Sequence, residues 1–311
     1  MTTCLITGVG GFCARHVAAR LDQEGGCLVV GTGLRAQPPA GIRLDDYLQA
    51  DVCERGALAA IVRKTKPDWV VHLAGLREGT DAAVQRVNVE GSGNLLEALR
   101  QDAPEARVLL IGTAAEYGFV DEADLPVTEQ HPCRPVGAYA TSKHEAVRAG
   151  LELARRNRLK VVVARPFNVI GPGLPPSLVL GAVLNQAVRA ARAAADPVVV
   201  QVGNLDAQRD FVAVGDVADA YVRMLRSDYW GEVFNLCSGR PYAVRAVVEL
   251  LLARAGRPIR LEVDPARVRR SEVRVNYGSY DKARRAFGFA PVTSIEESIR
   301  AMWDHAMREA A

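Results

Sequence analysis

Apolar residues arrive along this chain in short bursts, separated by stretches with the period of an amphipathic helix. Thr3–Thr7 is a strand candidate that runs directly into Gly8-Val9-Gly10-Gly11, and Phe12–Leu21 then reads as a helix. A second buried strand, Cys27–Val30, ends at Gly31-Thr32-Gly33. The spacing goes on to predict a helix over Glu54–Thr65, a strand over Trp69–Leu73 and a long helix over Val84–Arg100. A strand over Val108–Ile111, a helix over Ala138–Arg155 and a strand over Lys160–Ala164 follow. Strands alternating with helices call for a parallel sheet covered on both faces.

After Arg165 the alternation breaks. Pro166, Pro172, Pro175 and Pro176 punctuate a loop, and an Ala/Arg-rich helix follows to about Ala195. Val198–Val202 and Phe234–Leu236 read as short strands, Arg245–Ala255 and Ser294–Met307 as helices. The expected fold is α/β: a Rossmann-type doubly wound parallel sheet with a smaller, interleaved C-terminal lobe. Residues 1–165 with about 205–235 would bind a dinucleotide, and about 166–204 with 236–311 would bind the substrate. The cleft should lie between the lobes, at the carboxyl ends of the parallel strands.

Composition narrows the function classes. A net charge of +3 gives no electrostatic case for nucleic acid or an anionic membrane, so neither partner is expected. No apolar run reaches the ~20 residues of a membrane span. The cysteines, at 4, 13, 27, 53, 133 and 237, show no CxxC spacing. Free thiols in a reducing cytoplasm are expected, and no metal site.

The first turn has the order of strand, glycines and helix that a dinucleotide requires. Gly8 permits a tight turn, Gly11 admits a pyrophosphate to the backbone, and Ala14 allows close packing of helix on strand. Gly10, Phe12 and Cys13 complete the loop, whose helix N-terminus favours an anion. The segment after the second strand, Val30 to Arg35, holds no carboxylate for a ribose. Arg35 therefore either meets a 2′-phosphate, leaning the choice between NADP and NAD towards NADP, or is a solvated loop residue. Asp51-Val52 either approaches the adenine or begins a helix, with Asp51 as its cap. Further on, Tyr139 and Lys143 stand four apart on one predicted helix, so a phenol and an ammonium share a face. A fixed cation favours the phenolate and draws the phenol towards the range useful for proton transfer.

Together these motifs resemble the extended short-chain dehydrogenase/reductase family, in the branch acting on nucleotide sugars. Thr7-Gly8-Val9-Gly10-Gly11-Phe12-Cys13-Ala14 resembles its TGxxGFxG turn. His72-Leu73-Ala74-Gly75 resembles HLAA beside the cofactor, and Asn88 to Asn94 its N-x-x-G-x-x-N segment. The resemblance implies that Leu73, Ala74, Gly75 and Asn88 adjoin the cofactor. It makes Thr113, Tyr139 and Lys143 the catalytic set, with Tyr139 and Lys143 also beside the nicotinamide. Three later segments resemble GDP-4-keto-6-deoxymannose reductases and GDP-mannose 4,6-dehydratases: Arg165–Gly173, Val202–Phe211 and Arg269–Val273. By that resemblance Asn168, Arg209 and Arg269 would contact the substrate. Glu272 would be a ribose or base contact or a partner for nearby arginine.

Departures from the pattern matter as much. Dehydratases of this branch carry an acidic residue where this chain has Ala114-Ala115, and alanine cannot move the protons that water elimination requires. Glu116, counted among the substrate contacts, is displaced by one residue. If the segment is extended, it points to the opposite face. Arg270 replaces a proline, and Gly278-Ser279 lacks a following aspartate. The resemblance thus implies an NAD(P)H-dependent reductase of a nucleotide-linked 4-keto-6-deoxysugar, with GDP-4-keto-6-deoxymannose first. The alternative is a 4-epimerase using the same three side chains and retaining NAD; a 4,6-dehydratase is disfavoured. A homodimer is the implied assembly.

Overall fold

The computed structural model describes residues 1–192, 198–267 and 273–310. Its centre is a sheet of seven parallel strands. The first six in chain order are β1 (Thr2–Thr7), β2 (Cys27–Gly33), β3 (Asp46–Gln49), β4 (Trp69–His72), β5 (Arg107–Ile111) and β6 (Lys160–Pro166). Val233–Leu236 joins beyond β6, so the order across the sheet is β3, β2, β1, β4, β5, β6 and Val233–Leu236. Thr7 lies in register with Thr32 on one side and His72 on the other. The chain leaves β1 in one direction and returns past it to β4, so the loops after β1 and β4 diverge and leave a crevice.

Both faces of the sheet are apolar. On one, Ile6, Val71, Leu109 and Val162 pack against Val17 and Leu21 of α1 (Phe12–Glu24) and against Val217, Tyr221 and Met224 of a later helix, Val214–Arg226. On the other, Leu5, Val70, Leu110 and Val163 meet α2 (Arg55–Thr65) and two helices further along the chain. Those are α4 (Gly91–Asp102) and α5 (Ala138–Asn157). Between α2 and α4 stands α3 (Asp81–Gln85). A second core gathers α6 (Val179–Arg192), α8 (Val244–Leu252) and α10 (Ile295–Glu309) through Val183, Leu251, Ile299 and Trp303. The remaining helices are α7, the Val214–Arg226 helix already met, and α9 (Asp281–Phe287).

The structure departs from the sequence reading in several elements, with α9 and the strand Ile259–Val263 among those the sequence does not predict. The predicted helix over Val84–Arg100 starts earlier, because the Thr80 hydroxyl accepts a hydrogen bond from Ala83 N–H (3.2 Å) and caps α3. It is also interrupted by a π-helical turn, Arg86–Glu90, which carries Asn88. Helix α7 was not predicted, although it is among the most deeply packed. Asp46–Gln49, also unpredicted, is a short edge strand without an apolar run.

Candidate active site

The glycine turn is built as its sequence requires. Gly8 has φ +68°, and a Cβ there would stand 2.5 Å from the Ala74 backbone, so only glycine lets the two loops meet. Gly11 caps α1 without a side-chain bond, and no acidic residue stands in the first turn. The N–H groups of Phe12 and Cys13 therefore begin α1 free of an anionic side chain, which suits a pyrophosphate. At the end of β2, Arg35 is exposed while its carbonyl accepts from Tyr47 O–H (2.6 Å). Asp51 does not cap α2, whose N-cap is Glu54; its carboxylate accepts from Cys53 N–H (2.8 Å) and shapes the turn before the helix. Val52 is buried against Gly91, where a Cβ would come within 2.7 Å of it.

Leu73, Ala74 and Gly75 follow β4, and Gly75 comes up against α5. A Cβ on Gly75 would stand 3.9 Å from Lys143 Nζ and 3.2 Å from Asn88 Oδ1. Asn88 itself is 1 % exposed. Its side chain accepts from Leu76 N–H (2.7 Å) and donates to Leu76 O (2.9 Å) and Ser142 Oγ (2.9 Å). Both amide hydrogens are thus committed to the protein, and the side chain supports the loop and helix on either side.

A buried chain of hydrogen bonds reaches the same point. Thr7 Oγ1 and His72 Nδ1 are 2.7 Å apart, and His72 Nε2 and Ser92 Oγ are 3.0 Å apart. Because Ser92 donates to the Asn88 carbonyl (2.6 Å), it must accept from His72, which places the ring proton on Nε2 and makes Thr7 the donor to Nδ1. Burial, with Lys143 adding to it, lowers the His72 pKa to about 3 and keeps the ring neutral. Ser142 in turn donates to the Tyr139 carbonyl (3.0 Å), so the chain ends in the first turn of α5.

Tyr139 and Lys143 project from α5 as their spacing requires, but their titration differs from the expectation. Burial raises the Tyr139 phenol above its ordinary value. The foremost opposing influence is Arg77, whose Cζ lies 5.9 Å from the ring centroid; Thr113 hydrogen bonding opposes it less. Lys143 is buried, and desolvation pushes it down to about 8. Cys13, near Tyr139, is held protonated by burial, its thiol pushed up to about 12.

Thr113 ends the crossing from β5. The residues after it, Ala114–Tyr117, form a 3-10 turn rather than an extended segment. Thr113 Oγ1 accepts from Ala115 N–H (3.3 Å), which leaves its own O–H to donate. Glu116 is fully buried, accepting from Thr113 N–H (2.7 Å) and from Arg165 Nη2 (2.8 Å). It is thus turned inward, away from any surface a substrate would meet. Glu116, Cys133 and His144 hold ligand-type atoms within 4.8 Å of one another, but Arg165 already supplies the positive charge there.

Just beyond β6, Asn168 is exposed, its Nδ2 donating to Asp210 O (2.8 Å). Arg209 stands on the short strand Gln208–Arg209, between Tyr242–Ala243 and Val275–Asn276, and its Nη1 donates to Gln208 O (2.8 Å). Asp210 holds this side together: it accepts from Ser238 N–H (2.6 Å), Ser238 O–H (2.7 Å), Gly239 N–H (3.0 Å) and Gly278 N–H (3.3 Å). Arg269 and Glu272 lie outside the described residues. Sequence reading missed Ser92, Ser142, Arg77 and the bonding role of Asp210. Thr113-x-x-Glu116 did carry a visible signal, the spacing of a capping box.

A glycine turn on a doubly wound sheet, with threonine, tyrosine and lysine at the carboxyl ends of its strands, defines an extended short-chain dehydrogenase/reductase. The chain belongs to the NAD dependent epimerase/dehydratase family, which it matches over residues 4–237. It is 33% identical to GDP-6-deoxy-D-mannose reductase of Pseudomonas aeruginosa, over 98% of each chain. It is 30% identical to dTDP-6-deoxy-L-talose 4-dehydrogenase (NAD(P)(+)) of Kitasatospora kifunensis, over 96% of this chain and 93% of that one. The solved structure of RMD from Pseudomonas aeruginosa complexed with NADPH has a TM-score of 0.87 at 31% identity, over 99% of this chain and 100% of that one.

Proposed function

We propose that the protein reduces the C4 carbonyl of a nucleotide-linked 4-keto-6-deoxysugar, with GDP-4-keto-6-deoxymannose the first substrate to test. One observation carries the reading: the turn after β5 offers a sugar the Thr113 hydroxyl and the exposed Ala115 methyl, while Ala114 is buried and the turn's one carboxylate, Glu116, is locked inward. Such a site can guide a proton to an oxygen, and its turn has nothing with which to eliminate water. Two similar proteins named for the 4-position or reduction of 6-deoxysugars support the same chemistry.

NAD(P)H, when bound, supplies the hydride. Tyr139 gives its phenolic proton to the C4 oxygen; burial keeps the phenol protonated at neutral pH, which suits a donor. Lys143, charged below about pH 8, stabilises the phenolate left behind. Thr113 donates to the same oxygen and holds it in line. Gly8, Gly10, Gly11, Phe12 and Cys13 would bind the pyrophosphate, and Arg35 would favour the 2′-phosphate of NADP. Asn168, Arg209 and Arg269 would hold the sugar and its diphosphate, with Glu272 nearby. In this reading residues 1–165 with about 205–235 serve the cofactor and the rest the substrate. The unit is a cytoplasmic homodimer, and six free cysteines suit a reducing compartment.

The test is loss of NADPH absorbance on adding GDP-4-keto-6-deoxymannose, with the product's C4 alcohol identified by NMR. Stoichiometric NAD released by denaturing fresh protein, together with no net NADPH oxidation, would instead establish a 4-epimerase.

A further inference from the structure

Glu116 occupies a place that ordinary packing does not demand. It is 0 % exposed, and a Cβ on Gly112 would stand 2.3 Å from its Oε1, so the glycine leaves the space the carboxylate fills. Oε1 accepts from Thr113 N–H at 2.7 Å, and Thr113 Oγ1 accepts from Ala115 N–H at 3.3 Å. The second oxygen meets Arg165 Nη2 at 2.8 Å and lies 3.4 Å from His144 Nδ1. Arg165 is also 4 % exposed, and its Cζ sits 4.6 Å from the centroid of Tyr117. The Tyr117 hydroxyl donates to Asn235 Oδ1 at 2.7 Å, on the strand beyond β6. The counter-ion is thus fixed to two strands of the sheet.

Burying an ion pair gains little stability over an apolar pair of the same volume, and a neutral acceptor would satisfy one backbone N–H at lower cost. A role in geometry explains the pair better than a role in stability. Resting on the reductive reading of this site, we propose that Glu116 is a positioning residue for Thr113: its carboxylate holds the Thr113 backbone N–H, and through it the hydroxyl that meets the reacting oxygen, with Arg165 as its fixed counter-ion. The charge reaches further, since Glu116 also raises the pKa of both Tyr139 and Lys143. The carboxylate that follows Ala114-Ala115 thereby serves the turn from behind.

Two double variants separate the bond from the charge. Glu116→Gln with Arg165→Met keeps an acceptor for Thr113 N–H, whereas Glu116→Ala with Arg165→Met removes it; both remove the ion pair. With GDP-4-keto-6-deoxymannose, kcat of the Gln variant should exceed that of the Ala variant by about 10-fold or more, with equal KM for NADPH, because small misplacements of a reacting group are costly. Equal kcat in two folded variants overturns the proposal.

A measurement on the unaltered protein decides the bond without turnover and without the variants folding. The Thr113 amide proton, assigned by NMR, should lie well downfield, as a charge-assisted hydrogen bond requires. An ordinary amide shift overturns the proposal. Inactive wild-type protein overturns the substrate reading instead and leaves the amide shift to decide Glu116.

Discussion

Tyr139 and Lys143 stand on a helix of 20 residues packed against a seven-stranded sheet, whereas Arg209 stands on a strand of two residues between two others of the same length. The side that carries Tyr139 and Lys143 is fixed from within. Asn88, Ser142 and Glu116 each bond to backbone and His72 to the Thr7 and Ser92 hydroxyls, so Thr113, Tyr139 and Lys143 rest on a layer of buried polar contacts. Around Arg209 the carboxylate of Asp210 gathers four donors from two loops. Hydride and proton transfer tolerate little displacement, so the proposed chemistry would sit where the sheet determines position. The proposed recognition of a sugar nucleotide would sit on short strands and loops, whose side chains can change while the sheet stays as it is.

The largest test of that contrast is removal of the phenolic proton. Tyr139→Phe should lower kcat by about 10²–10⁴-fold, the usual contribution of a positioned acid. NADPH affinity, read by fluorescence titration, should stay within about 3-fold, because the phenol is not part of the pyrophosphate cradle. Loss of nucleotide binding in parallel would show that Tyr139 shapes the cofactor site and break the division into two sides.

Lys143→Met sharpens the same side through stability. The drop from 10.5 to about 8 means that the fold disfavours the ammonium. That cost is fully present below pH 8 and disappears as pH rises towards 10.5, where the unfolded chain also loses the proton. The variant should therefore be inactive yet more stable than the native protein at pH 7, by up to about 3 kcal/mol at 1.36 kcal/mol per pKa unit. Its advantage in chemical denaturation should shrink between pH 8 and 10.5. A variant less stable than the native protein at pH 7 would show that Lys143 is held by attraction rather than tolerated for function.

On the opposite side, Arg209→Ala should act on binding alone. A charge-assisted hydrogen bond contributes about 1.5–3 kcal/mol, so KM for the sugar nucleotide should rise by roughly 10–100-fold while kcat changes little. Steady-state kinetics with saturating NADPH measures both. A fall in kcat at unchanged KM would make Arg209 part of the chemistry and remove the contrast.

How far the site was legible follows the same division. The glycine turn and the Tyr139–Lys143 pair are local patterns: one is dictated by a positive φ and a close backbone, the other by helical period. Sequence holds both in full. Glu116 shows where parity fails. An extended Thr113–Glu116 turns its side chains alternately, but the segment is a 3-10 turn, and Glu116 reaches back to Thr113 as the third residue of a capping box. Asn88 was legible as important and not as buried, because its burial depends on the π-helical turn and on Leu76. Helix α7 is absent from the sequence reading although its buried positions recur with helical period. The sugar side was the least legible, because strands of two residues carry no period at all.

The smallest effect tests the margin of the nucleotide side. Arg35 is exposed just beyond β2, and its loop is pinned through backbone, by Tyr47 O–H on Arg35 O (2.6 Å) and Gln49 Nε2 on Leu34 O (2.9 Å). Removing the side chain should leave those bonds in place. An exposed pair with a 2′-phosphate contributes on the order of 1 kcal/mol, so Arg35→Ala should raise KM for NADPH by about 5-fold and leave KM for NADH unchanged. Added salt should reduce the difference, since solvent screens an exposed pair. Equal loss with both nucleotides would place Arg35 in the loop's structure, and no loss with either would leave it a solvated cation. The 2′-phosphate preference would then have to arise from another residue near the end of β2.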